Sequence, residues 1–410
     1  MDLFDKFQAI SDVSERILEA GDNPFGVCME RILSTTRAVI GGKEVILAGT
    51  NNYLGLTFDP ECLDAARDAI GSDGSGTTGS RIANGTYAGH QALEQELADF
   101  LGYRSVMVYT TGYQANLGAI SGLANSGDIV FIDADCHASI YDGCVLSGAT
   151  IVRFRHNDAA DLDKRLGRVD KDSSNKLVVV EGMYSMLGDR APLAEFTRVK
   201  NRHNAYLMVD EAHSLGVFGA TGRGLAEEEG VLEDVDFVVG TFSKSLGAIG
   251  GFCASNHPKF DLVRITSHPY MYTASLSPSN VASVRAALRL LRARPELRDQ
   301  LRENARSLYD GLTGLGYTVC SKDSPIVAVK AASQDEAAFM WNKLMEYGVY
   351  VNLAIPPGTP TGVSLLRCSV SAAHTESDLR GICTAFEKVA ADIGLTNLTA
   401  GTLSAAAPGA

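Results

Sequence analysis

Seven short apolar runs alternate with helical segments between residues 103 and 255, and this alternation constrains the fold more than any other feature. Valine, isoleucine and leucine dominate the runs, which is typical of strands buried on both faces of a sheet. Strands that alternate with helices predict an α/β domain with a mostly parallel sheet. The predicted strands are 105–109, 129–132, 150–154, 177–181, 205–209, 236–240 and 249–253.

The pattern divides the chain into four predicted parts. The large α/β domain covers residues 50–280, and residues 1–49 are predicted to form an N-terminal arm of one helix and a hairpin that turns at Gly41 and Gly42. A smaller α+β domain is predicted over 281–394. Its expected elements are strands 317–320, 325–330 and 364–370 and helices 334–347 and 375–393. The Ala-, Thr- and Gly-rich tail, 395–410, is predicted to be disordered.

Composition excludes several classes of function. The net charge of −13 argues against nucleic acid, because a phosphate backbone requires a basic face. No apolar run reaches the roughly 18–20 residues that span a bilayer, and the first residues lack the pattern of a signal peptide. The eight cysteines form no C-x-x-C pair, so neither a metal site nor a disulfide framework is predicted. We therefore expect a cytoplasmic protein with at most peripheral membrane contact.

Four polar segments follow predicted strands, in places where a structural turn needs only Gly, Asn or Pro. They are 110–116, 135–139, 210–213 and 241–244. In parallel sheets, ligands bind beyond the carboxyl ends of the strands. We therefore expect these four segments to line one site.

Lys244 follows the apolar run 236–240 and stands beside Thr241 and Ser243. Taken alone, this segment predicts an exposed lysine on a glycine-rich turn. A buried lysine, however, has a lowered pKa, and its neutral amine is a nucleophile that forms Schiff bases with carbonyl groups. The neighbouring hydroxyls and backbone N–H groups suit a phosphate.

Asp210 ends an apolar run and therefore requires a partner. It is either a buried ion pair or cap, or the acid that keeps a pyridine nitrogen protonated in a pyridoxal cofactor. His213 is close enough in sequence to reach the same ligand. Residues 210–213 also spell Asp-Glu-Ala-His, a helicase tetrapeptide, but the chain has no G-x-x-x-x-G-K-[ST] phosphate loop.

His137 and Arg367 each allow two interpretations. His137 is either a structural histidine or an imidazole that stacks on a planar cofactor and donates to a substrate carboxylate. Arg367, in an apolar strand, either extends its guanidinium to solvent or binds a carboxylate with two hydrogen bonds. Residues 74–79 match G-x-G-x-x-G, but a helical segment precedes them instead of a strand, which argues against a dinucleotide fold. The combination of groups favours a pyridoxal phosphate enzyme.

Residues 51–56, 74–81, 210–214 and 240–245 resemble the corresponding motifs of the α-oxoamine synthases, and the resemblance extends from about residue 20 to 390. It implies a fold-type I PLP-dependent transferase, with a large domain containing a mostly parallel seven-stranded sheet and a smaller C-terminal α+β domain. Further segments indicate the branch that condenses L-serine with a long-chain acyl thioester. These segments are 84–87, 137–143, 152–157, 184–189, 273–276 and 356–360.

The resemblance implies a role for each candidate site residue. Lys244 would bind pyridoxal 5′-phosphate and move the Cα proton, Asp210 would face the ring nitrogen, and His137 would stack on the ring. His213 and Ser185 would approach the ring hydroxyl. The expected phosphate ligands are Gly112, Tyr113, Thr241 and Ser243, together with Thr273 from the other subunit of a homodimer with shared active sites. The expected substrate contacts are Asn52, His137 and Arg367.

The implied reaction joins L-serine to palmitoyl-CoA, with loss of CO₂, to give 3-ketosphinganine, the first step of sphingolipid synthesis. The residues leave glycine or alanine open as the amino acid, and acyl-carrier protein open as the acyl donor. An aminotransferase or lyase that shares Lys244 and Asp210 is a more distant alternative, and a non-catalytic partner subunit is a third. Gly358 departs from the family pattern, because a less flexible residue is expected in the loop 356–360.

Overall fold

The structure, a computed structural model, describes residues 2–169, 175–356 and 358–395. The predicted tail lies outside these residues from position 396 onward. Within the described ranges, no helix is both long and apolar enough to cross a membrane.

The N-terminal arm contains a helix and an antiparallel hairpin, as predicted. Its elements are α1 (Gln8–Ala20), β1 (Arg31–Ser34), β2 (Arg37–Ile40) and β3 (Lys43–Leu47). Gly41 and Gly42 connect β2 to β3 with φ angles of 57° and 71°. A two-residue hairpin turn of this type requires positive φ at both positions, which glycine adopts without a steric penalty.

The central sheet has seven strands and confirms the seven predicted ones, each to within two residues at either end. They are β4 (Ser105–Tyr109), β5 (Ile129–Asp133), β6 (Thr150–Phe154), β7 (Lys176–Glu181), β8 (Tyr206–Asp210), β9 (Phe237–Thr241) and β10 (Gly251–Ser255). Their order is β4-β10-β9-β8-β7-β5-β6, and only β10 runs antiparallel to its neighbours. The prediction of a mostly parallel α/β sheet is therefore confirmed.

Alternate residues of the central strands contribute to different apolar clusters. On β8, Leu207 and Val209 belong to one cluster, whereas Met208 belongs to the other. Successive strand side chains point to opposite faces, so both faces of the sheet are covered. The helices of this region are α2 (Pro60–Asp73), α3 (Ala88–Leu101), α4 (Gly112–Leu123), α5 (Ala138–Ser147), α6 (Ala159–Leu166), α7 (Leu193–Arg202), α8 (Leu225–Glu228) and α9 (His268–Met271).

The C-terminal part packs helices on a three-stranded antiparallel sheet of order β11-β14-β13. A further short strand, β12, pairs in parallel with β3 of the arm. The elements are α10 (Pro278–Ala293), α11 (Glu296–Gly314), β11 (Ile326–Ala331), α12 (Gln334–Glu346), β12 (Val349–Tyr350), β13 (Asn352–Ala354), β14 (Ser364–Ser369) and α13 (Glu376–Asp392). Helix α10 packs against α2 and α3. The domain boundaries drawn from sequence stay predictions.

The strand predicted over 317–320 is reduced to a single antiparallel bridge between Val319 and Val329. Two backbone hydrogen bonds of 2.9 Å flank the bridge, from the N–H of Cys320 to the carbonyl oxygen of Ala328 and from the N–H of Lys330 to that of Thr318. Tyr317 instead faces α13, where its hydroxyl donates to the carbonyl oxygen of Phe386 at 2.8 Å. Asp323 then takes a positive φ of 58°, which turns the chain into β11.

Candidate active site

A cavity of about 420 Å³ lies beyond the carboxyl ends of the central strands. It contains polar groups from all four segments that the sequence placed at this edge. Eight of the predicted site residues line it: Gly112, Tyr113, His137, Asp210, His213, Thr241, Ser243 and Lys244. The structure thus brings together eight of the ten residues that the sequence associates with a cofactor, whereas Ser185 and Thr273 lie outside this lining.

Lys244 leaves the end of β9 and is only partly exposed. Burial lowers the pKa of its ammonium to about 8, although the carboxylates of Asp210 and Glu181 oppose this effect. At pH 7 the Lys244 side chain is therefore neutral in roughly a tenth of the molecules, which is several hundred times the neutral fraction of a free lysine. A neutral amine is the form that attacks a carbonyl group.

Asp210, at the end of β8, is only 5% exposed. Its Oδ2 accepts a hydrogen bond from Asn116 Nδ2 at 2.7 Å, and its Oδ1 accepts one from the N–H of Ala212 at 2.9 Å. Both bonds come from neutral donors. Within the described ranges Asp210 forms no ion pair with a side chain, so the alternative of a buried salt bridge is not supported.

The tautomer of His137 follows from its neighbours. Asn116 Nδ2 donates to Ser139 Oγ at 3.0 Å, and Ser139 Oγ lies 2.8 Å from His137 Nδ1. The N–H of Ser139 also points at Nδ1, at 3.2 Å, so Nδ1 accepts and the proton of the neutral ring lies on Nε2. Partial burial of the ring lowers the pKa of His137. A neutral imidazole with a free Nε2–H can stack on an aromatic ring and donate to a carboxylate.

His213 is held by a buried tyrosine. Its Nδ1 lies 2.7 Å from the hydroxyl of Tyr53, which belongs to the motif 51–56. Burial drives the pKa of His213 well below its usual value, and it raises the pKa of Tyr53 to about 12. Both groups are therefore uncharged at neutral pH.

The N-terminus of α4 and the end of β9 form a site that fits a phosphate. Gly112 and Tyr113 belong to the first helical turn, where backbone N–H groups have no partner within the helix. Thr241 Oγ1 and Ser243 Oγ lie 2.9 Å apart beside them. A Cβ atom at Gly112 would come within 2.8 Å of the Thr241 side chain, so only glycine permits this approach.

Arg367 lies on β14 and is only 5% exposed. Its Nε donates to the carbonyl oxygen of Ser185 at 2.6 Å, Nη1 to Ser369 Oγ at 2.8 Å and Nη2 to Asn51 Oδ1 at 3.1 Å. These acceptors are all neutral, and no carboxylate of the described ranges pairs with the guanidinium. A buried cation without a counter-ion fits an anionic ligand.

The other predicted residues do not line the cavity, and these are Arg367, Ser185, Asn52 and Thr273. Ser185 contributes the carbonyl bonded to Arg367. Asn52 is buried, donates to Thr57 Oγ1 at 2.7 Å and leaves its Oδ1 without a hydrogen bond. Thr273 precedes Ala274, which forms a bridge with Ser80 of the loop 74–81. Its predicted role in the partner's site stays a prediction.

Sequence reasoning missed Glu181 and Asn116. Glu181 ends β7 directly opposite Asp210 in the sheet register and lines the same cavity. Burial raises the pKa of Glu181 well above its usual value, and its Oε1 accepts the backbone N–H of His137 at 2.5 Å. It shares the pattern that identified Asp210, an acid at the end of an apolar strand, so the signal was present in the sequence.

The chain matches the family model described as aminotransferase class I and II over residues 43–386. It is 54% identical over 395 residues to a serine palmitoyltransferase of Caulobacter vibrioides, which covers 96% of this chain and 98% of the relative. The solved structure of Sphingomonas wittichii serine palmitoyltransferase superposes with a TM-score of 0.94 at 49% identity, covering 96% of this chain and all of that one.

A second solved structure, described as SPT with a PLP internal aldimine, has a TM-score of 0.94 and 50% identity and covers 96% of this chain and all of that one. These matches span nearly the full chain, and they agree with the resemblance inferred from the motifs. The chain belongs to the aminotransferase class I and II family and, within it, to the α-oxoamine synthases.

Proposed function

We propose that the protein is a serine palmitoyltransferase, which condenses L-serine with a long-chain acyl thioester and releases CO₂ to give 3-ketosphinganine. The observation that carries the proposal is one cavity that joins Lys244, of lowered pKa, to Asp210 and an anion-binding helix terminus. Relatives named serine palmitoyltransferase support the choice of substrates.

Pyridoxal 5′-phosphate fits the residues that are present. Its phosphate would bind the N–H groups of Gly112 and Tyr113 and the hydroxyls of Thr241 and Ser243. Lys244 would hold its aldehyde carbon, and Asp210 would keep its ring nitrogen protonated. When bound, this cofactor accepts the electron pair that remains on Cα after a bond to Cα breaks.

His137 and Arg367 would orient the substrate. The Nε2–H of His137 and the guanidinium of Arg367, whose three hydrogen bonds all go to neutral acceptors, are both suited to a carboxylate. If both residues bind the substrate carboxylate, they fix the torsion about the bond between the substrate nitrogen and Cα. This torsion determines which bond to Cα breaks. Asn52, whose buried Oδ1 has no hydrogen bond, would contribute a further acceptor near the substrate.

Lys244 would act as the base and then as the acid. Once the amino group of serine has displaced it, its neutral amine takes the Cα proton. The Cα electron pair then attacks the thioester carbonyl and expels the thiolate, which takes a proton from water. After the bond to the carboxylate breaks and CO₂ leaves, Lys244 returns a proton to Cα. Burial, which lowers the pKa of Lys244, favours the neutral amine that takes the first proton.

Three finer assignments belong to the same proposal. Coenzyme A is the proposed carrier of the acyl chain, the enzyme is a homodimer in which Thr273 of each subunit reaches the other's phosphate site, and it works in the cytoplasm. The dispersed, unpaired cysteines support a reducing compartment.

The test is a screen of amino acids against the purified, cofactor-loaded protein. L-serine is expected to change the visible absorbance of the bound cofactor, and subsequent palmitoyl-CoA is expected to release CO₂. A response to glycine or alanine but not to serine would reject serine as the substrate. Turnover only with an acyl-carrier protein thioester would reject coenzyme A, and a colourless protein would reject the enzyme class.

A further inference from the structure

His156 lies between two carboxylates, where the ends of β5 and β6 meet the segment that follows β7. This segment, loop 183–190, is closed by an antiparallel bridge between Met183 and Arg190. His156 Nδ1 lies 2.8 Å from Asp133 Oδ1, and its Nε2 lies 2.6 Å from Asp189 Oδ2. Because both ring nitrogens face acceptors, the arrangement suits the doubly protonated imidazolium.

The charges around His156 favour that cation. Asp135 is a third acid, with its Oδ2 3.7 Å from Nδ1. Burial opposes the charge, but the hydrogen bonds and charges of Asp133 and Asp189 outweigh it and raise the pKa of His156 to about 10. The ring is therefore charged at neutral pH and is attracted to both carboxylates.

Two neighbours extend this clamp around the loop. Asn157, in the left-handed region with φ of 52°, donates from Nδ2 to Asp189 Oδ2 at 2.9 Å and to the carbonyl oxygen of Arg190 at 3.0 Å. The ring of Tyr184 meets that of His156 edge-on, with centroids 4.5 Å apart. The loop is thus fixed at its start by an aromatic contact and at its end by charge-assisted hydrogen bonds.

The loop in turn holds Arg367. The carbonyl oxygen of Ser185 accepts the Nε–H of Arg367 at 2.6 Å, while Asn51 and Ser369 hold the other two nitrogens. A continuous set of contacts therefore runs from His156 through Asp189 and the loop to Ser185 and Arg367. None of these residues lines the cavity itself, Ser185 and Arg367 included, so the contacts act from outside its lining.

We propose that His156 is a positioning residue for the amino-acid substrate: its ion-paired clamp fixes loop 183–190 and, through the Ser185 carbonyl, the orientation of Arg367 toward the substrate carboxylate. The inference rests on the proposed function, which assigns the carboxylate to Arg367. It gives a role to two motifs, 152–157 and 184–189, that the proposed chemistry leaves unused.

The test is His156→Gln, because glutamine carries no charge and cannot bridge both acids in this geometry. We expect the KM for serine to rise about tenfold, while kcat and the KM for palmitoyl-CoA change less than twofold, since misplaced binding groups weaken positioning. Hydrogen exchange of the peptide covering loop 183–190, measured on the cofactor-free protein, should accelerate. Asp189→Asn is the second variant, expected to show the same pattern if His156→Gln does not fold.

His203→Gln is the matched control. Its Nε2 lies 2.7 Å from Asp163 Oδ1, so it also bonds a carboxylate, but at the contact between α7 and α6 and away from loop 183–190. This variant should leave the serine KM and the exchange of loop 183–190 unchanged. Folded His156→Gln with wild-type serine KM and wild-type loop exchange would overturn the inference. So would an equal loss in kcat and in both KM values with faster exchange throughout the chain, because that pattern reports general destabilisation.

The two proposals fail in different ways. If wild type and His203→Gln both fail to turn over serine, the proposed function is wrong. The exchange rate of loop 183–190 in the cofactor-free protein still decides whether His156 fixes the loop.

Discussion

Lys244 should make the cofactor-free protein less stable than it would be with an apolar side chain at the same position. Its pKa is lowered from 10.5 to about 8, so the fold disfavours the charged form that predominates at neutral pH. A shift of this size corresponds to about 3 kcal/mol, and partial exposure of the side chain reduces the expected effect to about 2 kcal/mol. Lys244→Met removes the charge and keeps a side chain of similar length.

The pH dependence gives the sign of the effect. A lysine whose folded pKa is lowered loses stability as pH falls from the unfolded pKa, 10.5, through the folded pKa, about 8. Below pH 8 the full penalty applies, and near pH 10.5 it vanishes. Lys244→Met should therefore be about 2 kcal/mol more stable than wild type at pH 7, and its advantage should shrink steadily between pH 8 and 10.5.

The assay is urea unfolding of both cofactor-free proteins at pH 7, 8, 9 and 10, followed by circular dichroism. Lys343→Met is the control, because Lys343 pairs with Glu346 at 2.8 Å on the surface of α12 and no gain is expected there. A Lys244→Met protein that is no more stable than wild type at pH 7, or whose difference from wild type does not vary with pH, would refute the reasoning.

Three further predictions concern the loaded enzyme. Lys244→Ala should abolish the visible absorbance of lysine-bound cofactor and the turnover of serine, as an absorbance spectrum and a CO₂ assay would show; wild-type turnover would contradict its role. Asp210→Asn should lower kcat by a factor of about 10²–10⁴, because a neutral amide holds the ring-nitrogen proton poorly, and near-normal steady-state rates would make Asp210 structural. Gly358→Ala should stabilise by about 0.4–1 kcal/mol in thermal unfolding, because Gly358 has no positive φ and a Cβ there would meet only the Ile355 carbonyl, at 3.3 Å. A lower melting temperature would show that this contact is too close.

The central sheet could be predicted because its signal is local. Each strand is a short apolar run, and burial on both faces makes the run nearly continuous, as in Leu207, Met208 and Val209. The prediction of a full strand over 317–320 failed because the packing of this segment depends on a distant element. Only Val319 pairs with β11, because Tyr317 packs instead against Phe386 on α13 with ring centroids 5.3 Å apart. No local pattern shows which distant element a side chain will meet.

In the candidate site too, the features with a local sequence pattern could be predicted and the long-range contacts could not. The ends of apolar strands indicated where Asp210 and Lys244 would meet, because parallel strands share one edge. The surroundings of Arg367 could not be derived in this way. Its partners Asn51 and Ser185 are 316 and 182 residues away in sequence, and no periodicity links such distant positions.

The parallel pairing of β12 with β3 has a consequence for the order of assembly. Ile46 pairs with Val349, so the sheet of the arm lacks its fourth strand until about 300 more residues have been made. At roughly 5–20 residues per second, the ribosome needs about 15–60 s to deliver that partner. The edge of β3 is exposed throughout this interval, and exposed strand edges promote pairing with other chains. Nascent chains that stall before residue 349 should therefore depend most on chaperones.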